Sequence, residues 1–530
     1  MPRCRADASE TGTTQMPYSF SATRVPRAAA AACVLALASL APHVADAADD
    51  AAGLLALHRA YAGWQLDDGT FATLKVRETI SMAQKDGTQK EIVAAQDVRR
   101  GLVHHRSYFF AGGLRHDEGF TGRTFWAANE NGFTVPRHDS RRDIELATLA
   151  FFAEGMTTMK PVSVKRDVLD GAQIAIVRVA MPFDLLVDLY EDPASGAFLR
   201  VVFDPVKRAE TLIVDGYDEI KPGKRMVTRW HFATSKTREV DVVTANPPVT
   251  NDDLKPPASR AEWTFGTSQP FHVEVNESSV VVDATVNGVR GRFFLDTGAS
   301  GIAVTPEFAA RSKLHAIADT EFAGLTGRGR GTIATADSIA FADGSTLHNV
   351  TVTTGLVPLG QNVSGLLGFD FLAGAIVDVN LDAQSLTLFD PAKVAANDAG
   401  TVVVSPDLTS GVPYVPAVLN GARDVRAMLD LGNRAPVLFA YSLHKDIVLA
   451  TGSEDRQEVE LSGAGGGLRS IQCGLLDKIQ FGSLSYVDAH ACYLDEWPVD
   501  EALVGFDFLH NFNFTFDYPD GKILMTQRKH

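Results

Sequence analysis

The sequence predicts a mainly β protein in which two copies of one repeated β unit follow an α+β domain built on an antiparallel sheet. Three observations carry that prediction. An apolar, strand-like run ends in an aspartate and then a glycine twice, at Phe293-Phe294-Leu295-Asp296-Thr297-Gly298-Ala299-Ser300 and at Ala427-Met428-Leu429-Asp430-Leu431-Gly432-Asn433. Each is preceded by a hairpin signal, Val286-Asn287-Gly288 and Leu419-Asn420-Gly421, because Asn-Gly suits the positive φ angles of a two-residue turn. Each is followed, at nearly the same separation, by a matching segment, Gly365-Leu366-Leu367-Gly368-Phe369-Asp370-Phe371-Leu372 and Ala502-Leu503-Val504-Gly505-Phe506-Asp507-Phe508-Leu509, and then by a closing hairpin. A repeat of this kind means two copies of one unit.

At 530 residues the chain is too long for one core. Its composition, 45% hydrophobic and 22% charged, is that of a globular protein. A net charge of −16 argues against nucleic acid as a partner, since phosphate binding calls for an excess of Lys and Arg. Residues 1–47 read as an export signal: Arg24 and Arg27 precede the apolar run from Ala28 to Ala41, and Ala45-Asp46-Ala47 fits a small-residue cleavage site. That run is short and wrongly flanked for a membrane span, so the mature chain is expected to be secreted or periplasmic, an uncleaved anchor being the alternative. Cleavage leaves Cys473 and Cys492, candidates for one disulfide in an oxidising compartment; a free buried pair is the other reading.

Residues 50–245 begin with a helical stripe, Leu54, Leu55, Leu57 and Tyr61 within 51–64, and a second helix is expected over 143–154. Strands are expected at 73–82, 89–98, 120–127, 172–179, 185–191 and 198–204, between Asp-Gly, Asn-Gly and Asp-Pro turns. A helix followed by a meandering sheet resembles the curved half-barrels of periplasmic lipoprotein carriers, a likeness of fold with no shared motif. His104, His105 and His116 lack metal-ligand spacing, and Asn129-Glu130-Asn131-Gly132 reads as a turn-rich loop. A linker follows over 246–262, broken by Pro247, Pro248, Pro256 and Pro257. The first lobe takes 263–392. Strand material over 272–284 and 290–295 leads to Asp296, and Thr305-Pro306-Glu307 starts a helix over 306–313. After a polar crossing from Asp390-Pro391 to Gly400, the second lobe takes 400–528.

Two aspartates brought together make a shared-proton acid/base pair. One accepts a proton from an attacking water while the other protonates the substrate carbonyl. Two carboxylates about 3 Å apart cannot both ionise cheaply, so one proton stays on the pair. No metal or cofactor is called for.

Over about 265–527 the chain resembles the retropepsin-like aspartic proteases, in a bacterial form with tandem protease-like units behind a secretion signal. Asp296-Thr297-Gly298-Ala299-Ser300 matches the catalytic loop of that family and Leu366-Leu367-Gly368 its bracing element. The resemblance implies pepsin/retropepsin-like lobes, a peptide or protein substrate, catalytic Asp296 and Asp430, loop support from Thr297, Gly298, Ser300 and Gly432, and bracing by Gly368 and Gly505. The second unit departs from the pattern: Leu431 stands where the family has a threonine that hydrogen-bonds across to the partner loop, and leucine has no such group. Two arrangements follow, a dyad within one chain or a homodimer pairing two copies of Asp296. Candidate substrate-covering flaps lie at Gly324 to Gly331, with Gly327 and Gly329, and at Ser462 to Gly467, with Gly465 and Gly466; a flexible surface loop is the bland reading. Arginines 328 and 330 on the first tip are expected to be solvated. Asp370, Asp507, Asp378 and Asp517 are expected to bond backbone near the bracing helices. The leading function is peptide-bond hydrolysis by an aspartate dyad in the bacterial envelope; the alternative is a non-catalytic, peptide-binding scaffold on a degenerate protease fold.

Overall fold

A computed structural model describes residues 41–528, apart from 67, 84–88, 138–146, 149, 153–157, 182–184, 206–209, 234–236, 325–326, 356–361, 397–400, 451–457, 463–467, 495–496 and 498–499. The expected export signal therefore lies mostly outside the described residues. The protein is mainly β, as its sequence predicts. Helix α1 (Ala41–Ala62) begins ahead of the expected 51–64 and ends at Gly63, whose positive φ of 78° no longer continues a helix. Among the described residues no helix is long and apolar enough to cross a membrane.

Beyond α1, thirteen antiparallel strands form one sheet. From Leu74–Ala83 in the middle, the chain steps strand by strand to one edge at Thr134–Pro136, jumps to the opposite edge at Lys160–Leu169, and steps back to Thr237–Ala245, which pairs with Leu74–Ala83. Leu54 and Leu55 of α1 bury against Val177, Leu189, Phe198 and Val201 of this sheet. Where one strand was expected over 120–127 there are two, Arg115–Phe120 and Phe125–Ala128. Between them the chain turns, with Thr121 N–H donating to Thr124 O at 3.1 Å and Gly122 at φ 92°. Of the helix expected over 143–154, residues 147–148 and 150–152 are described, and they are helical.

Two stretches of the chain, 280–389 and 414–527, pair their strands in a similar order. The first contains β1 (Val280–Val286), β2 (Val289–Leu295), β3 (Ala303–Val304), α2 (Pro306–Arg311), β4 (His315–Gly324), β5 (Gly327–Ala340), β6 (Thr346–Thr354), β7 (Gly365–Leu367), α3 (Phe369–Ala373), β8 (Ile376–Asn380) and β9 (Ser385–Phe389). The second contains β10 (Tyr414–Leu419), β11 (Arg423–Leu429), β12 (Val437–Ala440), β13 (Glu458–Ser462), β14 (Leu468–Phe481), β15 (Leu484–Leu494), β16 (Glu501–Val504), α4 (Phe506–Leu509), β17 (Phe512–Asp517) and β18 (Lys522–Gln527). The hairpins β1–β2 and β10–β11 turn at Asn287-Gly288 and Asn420-Gly421, all four residues at positive φ. In each lobe the strand leading to the aspartate pairs in parallel with the bracing strand, β2 with β7 and β11 with β16. The strand run expected over 272–284 is broken instead, because Asn276 turns the chain by accepting a bond from the Ser278 N–H at 2.9 Å. Helix α2 starts as expected, Thr305 Oγ1 accepting the Phe308 N–H at 3.3 Å.

The lobes join through backbone. β8 pairs antiparallel with β17 in a six-stranded sheet, and Thr515 Oγ1 donates across it to Asp378 Oδ1 at 2.7 Å. One hydrophobic core runs through both lobes and includes Phe133 and Val135 from the amino-terminal sheet. Phe514 lies on β17, buried in that shared core and stacked on Phe516 at 5.4 Å. Phe514→Ala is expected to cost about 3–5 kcal/mol through the cavity it leaves, measured as a lower urea midpoint of unfolding.

Candidate active site

Buried strand ends deliver both aspartates. Leu295 and Leu429 fix the ends of β2 and β11 in the core, and the next residue turns out of the strand in the same way in both lobes. Asp296 N–H donates to Leu367 O at 2.9 Å, and Asp430 N–H donates to Val504 O at 2.9 Å. The loops then close on themselves, Ala299 N–H onto Asp296 O at 3.3 Å and Asn433 N–H onto Asp430 O at 3.4 Å.

The structure brings the two carboxyls together across the lobe boundary. A Cβ placed on Gly298 would collide with the carboxyl of Asp430, and one on Gly432 with the carboxyl of Asp296. Each loop's glycine is therefore the surface against which the other loop's acid rests, and no larger residue fits. The two acids meet where the loops cross, and carboxyls this close cannot both ionise cheaply, so the pair keeps a proton. Burial first, and then the charge of Asp430, holds Asp296 well above the usual carboxylate range. Burial raises Asp430 too, but bonds from Asp296 and from the N–H groups of Gly432, Gly298 and Asn433 pull it back. Gly432 N–H reaches Asp430 Oδ1 at 2.9 Å. Both acids are thus raised above the usual carboxylate range, and the proton belongs to the pair.

Thr297 ties the loops together. Its buried hydroxyl donates to Leu429 O at 2.7 Å and accepts the Leu431 N–H at 2.9 Å. Leu431 returns no such bond, and its side chain is buried in the core. Behind each loop the bracing glycine admits close backbone: a Cβ on Gly368 would strike Ala299 O and Gly301 O, and one on Gly505 would strike Ala435 O and Asn433 O. Phe369 N–H donates to Ala299 O at 2.9 Å and Phe506 N–H to Asn433 O at 2.6 Å. Ser300 is exposed, with Gly411 of the second lobe against it at φ 75°.

The remaining sequence candidates fall elsewhere. Gly327 and Gly329 lie on β5 in the β4–β5 hairpin, opposite Gly324 and Phe322, while Gly465 and Gly466 lie outside the described residues. Arg330 is exposed and pairs with Glu321 at 3.3 Å. Cys473 and Cys492 face each other on β14 and β15 and form a disulfide. His105 pairs with Asp117 and His116 with Glu130, each at 2.8 Å. Asp517 accepts the Asp520 N–H at 3.2 Å. The acids after the bracing glycines are not equivalent. Asp507 is exposed, whereas Asp370 is buried, accepts the Ile302 N–H at 3.3 Å, and is held by Asn129 from the amino-terminal sheet. Nothing in the sequence marks the Asn129–Asp370 contact, because 241 residues separate its partners.

Comparison with known proteins bears on part of the chain. A family model described as aspartyl protease matches residues 282–371, a stretch that contains Asp296 and the bracing Gly368 and ends before Asp430. The chain thus carries an aspartyl protease-like domain. Two solved structures are similar at the level of general chain path: a DUF1329 family protein from Desulfovibrio piger, 10% identical over 39% of this chain and 97% of its own, with a TM-score of 0.30, and a LolA superfamily protein from Nitrosomonas europaea, 13% identical with the same coverage and TM-score. No curated protein matches the chain.

Both acids have folded pKa values above their unfolded ones, so the pair's contribution to stability is present below the ordinary carboxylate range and lost as pH rises through the folded values. Asp296→Asn is therefore expected to raise the melting temperature over wild type at about pH 7 and to lose that advantage near about pH 4, as read by calorimetry at the two pH values. Thr297→Val keeps the shape but leaves the buried Leu431 N–H without its acceptor; a loss of about 1–3 kcal/mol is expected in urea unfolding.

Proposed function

We propose that this protein is an aspartic-type endopeptidase whose two lobes, within one chain, contribute Asp296 and Asp430 to a single water-activating pair. The observation that carries this reading is the meeting of the two carboxyls, each seated on the opposite loop's glycine. In the catalytic cycle the ionised acid of the pair takes a proton from a water that attacks the scissile carbonyl carbon, while the protonated acid donates to the carbonyl oxygen. The tetrahedral diol then collapses. The first acid gives its proton to the departing amine, and the second recovers one from the diol, which restores the starting state. The substrate is an extended peptide, and the β4–β5 and β13–β14 hairpins, with glycines at or beside their tips, are the proposed flaps over it. The basic and apolar leader and the Cys473–Cys492 bond suit a periplasmic or secreted enzyme.

A second reading, a peptide-holding scaffold without turnover, draws on Leu431, whose side chain returns no bond to the first loop and leaves Thr297 to make both side-chain ties between the loops. Assay of the mature chain across acidic to neutral pH separates the two. The enzyme is expected to cleave peptides in a window bounded below by protonation of both acids and above by ionisation of both. Asp296→Asn and Asp430→Asn are each expected to remove cleavage with circular dichroism unchanged. Wild-type turnover by Asp430→Asn would eliminate the single-chain pair and leave a homodimer of first lobes, and tight binding of peptide with no cleavage by the wild type would favour the scaffold.

A further inference from the structure

Directly behind the Asp296 loop, the amino-terminal sheet sends one turn into the first lobe. Asn129-Glu130-Asn131-Gly132 follows the strand Phe125–Ala128. Asn129 Nδ2 donates to Asp370 Oδ1 at 2.5 Å, while the other oxygen of the same buried carboxyl accepts the Ile302 N–H, at the far end of the loop that starts at Asp296. Asn131, fully buried, accepts the Thr351 N–H on Oδ1 at 2.7 Å and donates from Nδ2 to Thr351 O at 3.3 Å. Its own carbonyl accepts the N–H groups of Arg260 and Ala261 at 2.9 and 3.0 Å. Gly132, at φ 78°, lies against the backbone of Ser259 and Arg260, and Phe133 enters the lobe core. A turn satisfied at this many buried positions is built into the lobe and does not merely rest on its surface.

The second lobe makes the point by contrast. There the corresponding acid, Asp507, is exposed, and the loop is closed internally, Asn433 Oδ1 accepting the Ala435 N–H at 2.8 Å. The first loop has no such internal tie at Ala299; its far end depends on Asp370. That carboxyl is costly to bury. Burial and then the Glu130 charge push it up to about 7, and the side-chain amides of Asn131 and Asn129 offset part of the cost. Glu130 is itself engaged by His116 at 2.8 Å, with the Arg260 charge also acting on it.

We propose that Asn129 is a positioning residue for peptide hydrolysis: acting through Asp370, it fixes the loop that carries Asp296, so the amino-terminal sheet is a working part of the active site. This rests on the protease reading above. Fixing the loop matters because a reacting group displaced by about 1 Å costs on the order of a hundredfold in rate.

The test uses the full mature chain and reads two quantities, peptide cleavage and amide hydrogen exchange over residues 296–302. Asn129→Asp sets a second carboxyl against Asp370. It is expected to lower kcat by about 10–100-fold with KM little changed, and to speed exchange in the segment. The double variant Asn129→Asp with Asp370→Asn reverses the pair, since the new amide donates to position 129 and its oxygen still accepts from Ile302; both quantities are expected to return toward wild type. Asp507→Asn, at the exposed counterpart, is expected to change neither. Unchanged kcat and exchange in Asn129→Asp, or a double variant no better than the single, overturns the positioning role. A wild type that cleaves nothing but shows the same exchange changes overturns the protease reading alone.

Discussion

An acid can be buried against another acid only if the pair keeps a proton, and most of the geometry in residues 280–527 follows from that condition. Two unit charges 4 Å apart repel by about 4 kcal/mol at an effective dielectric of 20, more than a few backbone N–H bonds return. Asp296 and Asp430 therefore share a proton, and backbone N–H groups of both loops offset part of the cost of burying the remaining charge. Close approach in turn requires glycine at 298 and 432. It also requires that two loops from strands far apart in sequence meet without slack. The antiparallel pairing of β8 with β17 supplies that, because a backbone ladder between the lobes fixes their spacing more tightly than side-chain packing alone.

The two halves reach this common geometry by unequal means. Thr297 makes both side-chain ties between the loops, and Leu431 contributes apolar burial instead of a bond. Loss of the returned bond is tolerable because Thr297 still satisfies the Leu431 N–H and reaches the Leu429 carbonyl, leaving no orphaned donor at the loop crossing. Asn433 adds a further tie within the second loop. The first loop lacks an equivalent and relies on Asp370, which is buried for that purpose, whereas Asp507, with no such task, faces solvent.

Features that depend on local chemistry were legible in the sequence. Asn-Gly at 287–288 and 420–421 demands positive φ, Thr305-Pro306 marks a helix start, and an apolar run into Asp-x-Gly marks a strand ending in a turn. The pairing of the two loops was legible only because the motif recurs. Charged strands were harder. Lys160–Leu169 is an edge strand with most residues exposed, and an edge protected by Lys, Arg and Asp carries little of the apolar alternation by which strands are recognised. The run over 120–127 misled because Phe120 and Phe125 are both buried and sit on either side of a turn, so that two strands read as one. Asp370 was legible as a repeated acid that bonds nearby backbone, but its contact with Asn129, and the burial of Asn131, carry no local signature, since polar residues in a turn look solvated until the fold supplies a buried partner.

The amino-terminal sheet touches the second lobe as well, which constrains what it does mechanically. Arg137, buried at the sheet's edge, donates from its guanidinium to Glu118 at 3.0 Å and to Thr409 Oγ1 at 3.1 Å. Thr409 N–H donates to Asp407, and Asp407 pairs with Arg426 on β11, which also reaches Glu501 on β16. Those two strands flank Asp430, just as Asn129 and Asp370 stand behind the loop of Asp296. A third body bonded to both halves of the site opposes relative sliding of the lobes, because any such movement would have to break a buried polar contact on one side or the other, at about 1–3 kcal/mol for each group left unsatisfied. Two carboxyls that tolerate one proton at one separation need that restraint, and the lobe-joining sheet provides it from one side while the amino-terminal sheet provides it through polar contacts with each lobe.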